Sequence, residues 1–203
     1  MRWLVLLLLA GSGALAGCGA PPVAPWLLAD DAPVPPYEDE ALPAWTRRGE
    51  TYEQLESRVF VRATWFSPAF AASYATRRSQ RLGMSPSEAR AERTARVAAA
   101  HQEVRFFAAV VTNDPFWNDL ERGDKATLRA RLMRDGEALA PISVERISDD
   151  TLADMTPFFP YADALSRAYW ITFAVPGEIK AGEILHLRIS GPPAIVNLRW
   201  EVK

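Results

Sequence analysis

The chain reads as mainly β, built from two antiparallel sheets with one α-helical hairpin inserted. Three observations predict this. Apolar and polar side chains alternate in short runs from residue 58 to the end of the chain. Turn signals, among them Asp135-Gly136 and Gly191-Pro192-Pro193, separate those runs. One stretch, at about residues 68–102, changes to helical periodicity and carries its own capping residues. Period-two alternation marks a strand with one face in a core, and regular turn spacing marks an antiparallel arrangement.

The first strand is expected at residues 58–66, with Val59, Val61, Ala63 and Trp65 on one face. Phe60 and Phe66 interrupt the polar side, which predicts cover on both faces. Ser67-Pro68 is an N-cap followed by proline at the first helical position, and the helix is expected to stop at Gly83. Ser85-Pro86-Ser87-Glu88 is a capping box that opens a second helix to about His101. Ala91, Ala95 and Ala98 are expected to form its packing face. Residues 104–112 are apolar on both faces, as in a buried central strand.

Leu128, Ala130 and Leu132 alternate with Thr127, Arg129 and Arg131. Asp135-Gly136 predicts a hairpin, with Ile142 and Val144 on its return strand and Pro141 placing that strand at an edge. A short helix or turn follows at 150–155. Three further strands carry Tyr169, Ile171, Phe173 and Val175; then Leu185, Leu187 and Ile189; then Val196, Leu198, Trp200 and Val202. About seven short strands separated by turns predict a two-sheet antiparallel β-sandwich, immunoglobulin-like in general architecture.

Ahead of this domain lie two regions of other character. Residues 19–50 hold seven of the sixteen prolines and a concentration of acids, which blocks both helix and ladder. They are expected to form an extended tether, with Trp26, Leu27, Leu28, Tyr37 and Trp45 apolar enough to dock on the domain. Residues 1–17 have a basic start at Arg2, an apolar run too short to span a bilayer, and a small-residue exit. Leu15-Ala16-Gly17-Cys18 resembles the lipobox of bacterial lipoproteins. The resemblance implies cleavage before Cys18, a diacylglyceryl group on its thiol, and residence in the cell envelope. Gly19 after the cysteine points to the outer membrane. Two or more acyl chains hold a protein firmly where one binds marginally. The expected organisation is thus a signal peptide at 1–17, a lipidated tether at 18–50 and a domain at 51–203.

The formal net charge of −2 gives no bulk electrostatic case for nucleic acid. Cys18 has no partner cysteine, so stability must come from a hydrophobic core. His101 and His186 have no neighbours at metal-ligand spacing, which argues against zinc or copper. No serine sits in a nucleophile elbow and no glycine-rich loop joins a strand to a helix. No cofactor is expected, and the leading expectation is a non-enzymatic binding or assembly module with an envelope protein or cell-wall polymer as partner.

Two loops are candidate contact sites. At 113–119, Phe116 and Trp117 lie between Asp114 and Asp119, a pattern suited to stacking on a sugar ring and accepting its hydroxyl hydrogen bonds. The same acids could work as a glycosidase pair. The plainer reading has Asp114-Pro115 turning the chain, the aromatics folded on the core and Asp119 capping a turn. At 157–163, Phe159 and Tyr161 belong to a proline-flanked aromatic run, read either as a partner patch or as a plug at one end of the domain. The arginines of the helical hairpin form a third, positively charged region, read as a solvated face or an anion contact.

Overall fold

The computed structural model describes residues 34–202 apart from 54, 55, 175, 176 and 178. The leader, Cys18, Trp26, Leu27, Leu28 and Val175 lie outside the described residues. Among the described residues nine strands form two antiparallel sheets: β1 (Thr46–Glu53), β2 (Glu56–Trp65), β3 (Glu103–Thr112), β4 (Arg129–Arg134), β5 (Glu137–Leu139), β6 (Ser143–Arg146), β7 (Arg167–Ala174), β8 (Ile184–Gly191) and β9 (Ala194–Glu201). The five-stranded sheet has the order β1-β2-β3-β7-β6, and the four-stranded sheet β5-β4-β8-β9.

The two sheets share one core. Val59, Val61 and Trp65 of β2, Phe106 and Val110 of β3, and Ile171 and Phe173 of β7 meet Leu132, Leu187, Leu198 and Trp200 from the other sheet. Phe106 lies 5.0 Å from Trp200 between ring centroids. On β9 the alternation is complete, every second residue buried and the others exposed. The two sheets also meet at one margin. Arg47 of β1 donates to the Arg199 carbonyl at 2.9 Å, and Thr51 to that of Ile195 at 2.9 Å. Gly49 is what permits this approach, since a Cβ there would lie 2.5 Å from Val196 Cγ1 and 2.9 Å from Leu198 Cδ2.

The helical hairpin joins β2 to β3 as α2 (Pro68–Arg81) and α3 (Pro86–Gln102); two further helices are α1 (Leu42–Trp45) and α4 (Asp149–Met155). Ser67 accepts from the Phe70 amide, and the Ser85/Glu88 box is formed reciprocally. Helix α2 presses Phe70 and Tyr74 onto the outer face of the five-stranded sheet, where Phe66, Phe107 and Phe159 complete an aromatic layer. Phe107 and Phe159 are stacked at 4.0 Å. Among the described residues no helix is long and apolar enough to cross a membrane.

Four expectations are corrected. The tether boundary at Glu50 moves N-terminally. Tyr37 and Leu42 are buried, Tyr37 donates to the Phe158 carbonyl at 2.8 Å, and Thr46 through Glu50 belong to β1. The single return strand after Asp135-Gly136 is two strands in different sheets. β5 pairs with β4, and β6 pairs with β7, with Pro141 between them where a missing N–H ends the first ladder. Ala91, Ala95 and Ala98 face outward; Ala89 is the buried residue of α3, and Glu92 reaches α2 on the same face. The aromatic run at 157–163 packs over a sheet face rather than plugging an end of the domain.

Candidate functional site

The two candidate loops have opposite fates. In 113–119 the backbone turns as a 3-10 segment at Pro115–Trp117, capped by Asp114, which accepts from the Phe116 amide at 2.9 Å. Phe116 is 86% exposed. Trp117 packs against the core edge, with the Arg58 guanidinium 5.5 Å above its ring. Asp119 is buried and accepts from the Thr127 amide at 2.8 Å and its hydroxyl at 3.3 Å. Asn118, also buried, donates to the Val110 carbonyl at 2.8 Å and accepts from the Tyr169 hydroxyl at 2.9 Å. Burial raises the Tyr169 phenol far above its ordinary range, so it serves as a donor throughout the physiological range. Asn118 and Asp119 therefore fasten the loop, and Phe116 is its free tip. The two carboxylates have separate structural partners, and one of them is closed to solvent.

The 157–163 run is mostly interior. Phe158 and Phe159 are buried, but Tyr161 stands at the margin of the aromatic layer. Its hydroxyl lies 2.6 Å from that of Thr64, which lies 2.6 Å from that of Thr46, so β1, β2 and this loop are joined by a chain of hydroxyls. Burial again pushes the phenol up. Asp163 accepts from the Leu165 amide at 3.0 Å, while Ser166 donates to the Asp163 carbonyl at 2.9 Å.

Tyr161, Asp163 and Ser166 form one wall of a groove of about 270 Å³. Its floor and other wall are Phe60 and Arg62 of β2, Val111 of β3 and Arg48 of β1. It exists because the helices and loops cover only part of the five-stranded sheet. Thr64 is buried beneath Tyr161, whereas Arg62, two residues along the same face, is exposed. Arg48 is paired with Glu50 at 2.7 Å. The groove thus offers aromatic and aliphatic faces, guanidinium donors and a carboxylate, which is the chemistry of selective binding. Arg48, Phe60 and Arg62 were missed from sequence. Phe60 was legible as an odd apolar residue on a polar face, but its meeting with Tyr161 depends on a distant loop.

His101 is exposed at the end of α3, and His186 is half-buried on the outer face of β8. Among the described residues no group of three or more His, Cys, Asp or Glu side chains is placed to hold a metal ion. Comparison with protein-family models, with curated proteins and with solved structures finds no match to this chain.

Proposed function

We propose that this chain is a lipid-anchored, non-enzymatic binding module of a bacterial cell envelope, held in the outer membrane through Cys18. In this reading its two sheets form an immunoglobulin-like β-sandwich. Strand order supports the architecture. β2-β3-β7-β6 and β4-β8-β9 follow the chain order of the ABED and CFG sheets, β5 stands beside β4, and β1 is an added edge strand. The anchor is supported by the lipobox at Leu15-Ala16-Gly17-Cys18.

The observation that carries the binding reading is the groove between Arg48, Phe60, Arg62, Tyr161 and Asp163. It gathers recognition groups from three strands and a loop over a rigid aromatic layer, a mounting suited to an envelope protein partner. A photoreactive residue at position 62, introduced in cells, should yield one reproducible adduct that Arg48→Ala abolishes; the same probe at position 90 should not. Equal adducts from both positions, or none, would sink the groove. Mass spectrometry of the N-terminal peptide tests the anchor separately, and an unmodified Cys18 thiol refutes it.

One observation favours a second reading, a carbohydrate or cell-wall binding module: the exposed Phe116 ring beside Asp114. Its cleaving form loses ground because Asp119 is committed to Thr127. Titration with cell-wall fragments should change Trp117 fluorescence, and Phe116→Ala should remove the response. Silence toward every fragment ends this alternative.

A further inference from the structure

We infer that the outer face of the four-stranded sheet is a docking surface for anionic phospholipid headgroups. This rests on the lipid-anchored reading for its geometry, but not for its test.

Arg131 of β4 stands directly opposite Arg188 of β8, and His186 of β8 directly opposite Arg199 of β9. All four point away from the core, since their neighbours Ala130, Leu132, Leu187, Leu198 and Trp200 are buried. Arginines directly opposite on one face repel, and a sheet keeps such a pair only at a cost. Among the described residues little offsets it. Arg188 donates to the neutral side chain of Asn197 at 2.8 Å, and Arg129 to a backbone carbonyl at 2.6 Å. Among the described residues Asp124 lies 3.9 Å from Arg131 and is almost fully exposed, and Glu201 stands on the same face at the end of β9. The arginines of the helical hairpin are in a different condition. Arg77 is paired with Glu38, and Arg78 and Arg96 share Glu92.

The occupant follows from charge and reach. Basic groups at an anionic bilayer each contribute about a fivefold gain in partition at low salt. Ile195, 61% exposed, offers an apolar contact among the arginines. At one end of the face, Thr127, Arg129, Arg131 and Ser190 bound a groove of about 610 Å³, with hydroxyl and guanidinium donors suited to a phosphate. Tyr37 is fixed on the opposite, helical side of the molecule. The chain between Cys18 and Tyr37 can span at most roughly 60 Å. Layers spaced about 10 Å apart make the domain on the order of 35 Å thick. The linker can therefore pass around the domain and let the basic face lie on the bilayer that holds the anchor, at high effective concentration.

The test uses the chain from residue 18 onward with Cys18→Ser, so that acylation cannot contribute. It should sediment with phosphatidylglycerol vesicles, not with phosphatidylcholine vesicles, and release as salt rises. Arg131→Glu with Arg188→Glu should weaken binding roughly 30-fold or more, and Arg90→Glu on the hairpin should leave it unchanged. Arg188→Glu alone should weaken binding while raising the melting temperature, because it removes the like-charge pair; this separates a lost surface from a lost fold. Indifference to vesicle charge, binding unmoved by the arginine variants, or capture by soluble polyphosphate with vesicles unbound would overturn the inference. An unmodified Cys18 would refute the anchor while leaving this result intact.

Discussion

The outer faces of the two sheets make opposite use of the same kind of residue. On the five-stranded sheet an aromatic layer covers the strands, and arginines lie on its rings: Arg105 4.3 Å over Trp170, Arg96 5.0 Å over Tyr74, Arg81 5.8 Å over Phe158. Stacking lets a guanidinium keep its charge while its stem and plane cover apolar surface. On the four-stranded sheet no described segment covers the outer face, and Arg129, Arg131, Arg188 and Arg199 stand in solvent or half in it. Arginine in this chain is therefore two materials, a packing element on one side and charge held mostly by neutral acceptors on the other. Net charge near zero conceals the second because acids elsewhere cancel it in the sum.

Breaking the covered side should have the largest effect. Phe159→Ala removes a fully buried ring stacked on Phe107. It should destabilise the domain by about 3–5 kcal/mol in denaturant unfolding, and a loss below about 1 kcal/mol would mean the layer is ornamental to the fold. Asp119→Ala comes next. It leaves the Thr127 amide without its acceptor just ahead of β4 and should cost about 1–3 kcal/mol. The four-stranded sheet should lose its register at Arg129 first, visible as faster amide exchange there than in β9.

The smallest effect sharpens the contrast in charge. Glu92 loses some ease of ionisation to burial, but Arg96 and Arg78 outweigh that and hold its carboxyl below the usual range. Glu183, beside Arg134, has the same balance of burial against its guanidinium partner. A carboxyl with a depressed folded-state pKa stabilises above its unfolded value, about 4.3, and that contribution disappears as pH falls through the folded value. Stability should therefore decline below about pH 4.3, and Glu92→Gln should flatten part of that decline while costing under about 1 kcal/mol at neutral pH, since the network is partly exposed. An unchanged acid limb would mean that the hairpin's arginines are no more tied to acids than those of the four-stranded sheet.

What could be read from sequence was local. Ser67-Pro68 and the Ser85/Glu88 box announce helices α2 and α3, because a cap is a contact between residues three apart. Asp135 and Gly136 take the positive φ values, 50° and 84°, that a tight hairpin needs. Inward residues of β2, β8 and β9 were legible because burial imposes period two. The sequence Thr46–Glu53 was not, since an edge strand with a glycine at its crossing point carries little apolar alternation and looks like the linker before it. Nor was the division of the stretch after Gly136 into β5 and β6, because Pro141 is compatible both with an edge strand and with a passage between sheets. Of the candidate residues, Phe159 is buried by Phe107, dozens of residues away, whereas Asp119 is held by Thr127 only eight residues on, so the turn reading of that loop was local. The pairing of Arg131 with Arg188 is a matter of register, which spacing along the chain does not encode.

The contact of β1 with β9 has a consequence for how such a chain comes into being. Gly49 lies against Val196 and Leu198, so β1, whose ladder runs to the adjacent β2, meets its neighbour in the other sheet only once β9 has been made. A polypeptide threaded outward from its N-terminus could close the β1–β2 ladder early but would keep the margin at Gly49 open for nearly its whole synthesis, and removal of the final ten residues should open that margin in the finished molecule while leaving β1 paired with β2.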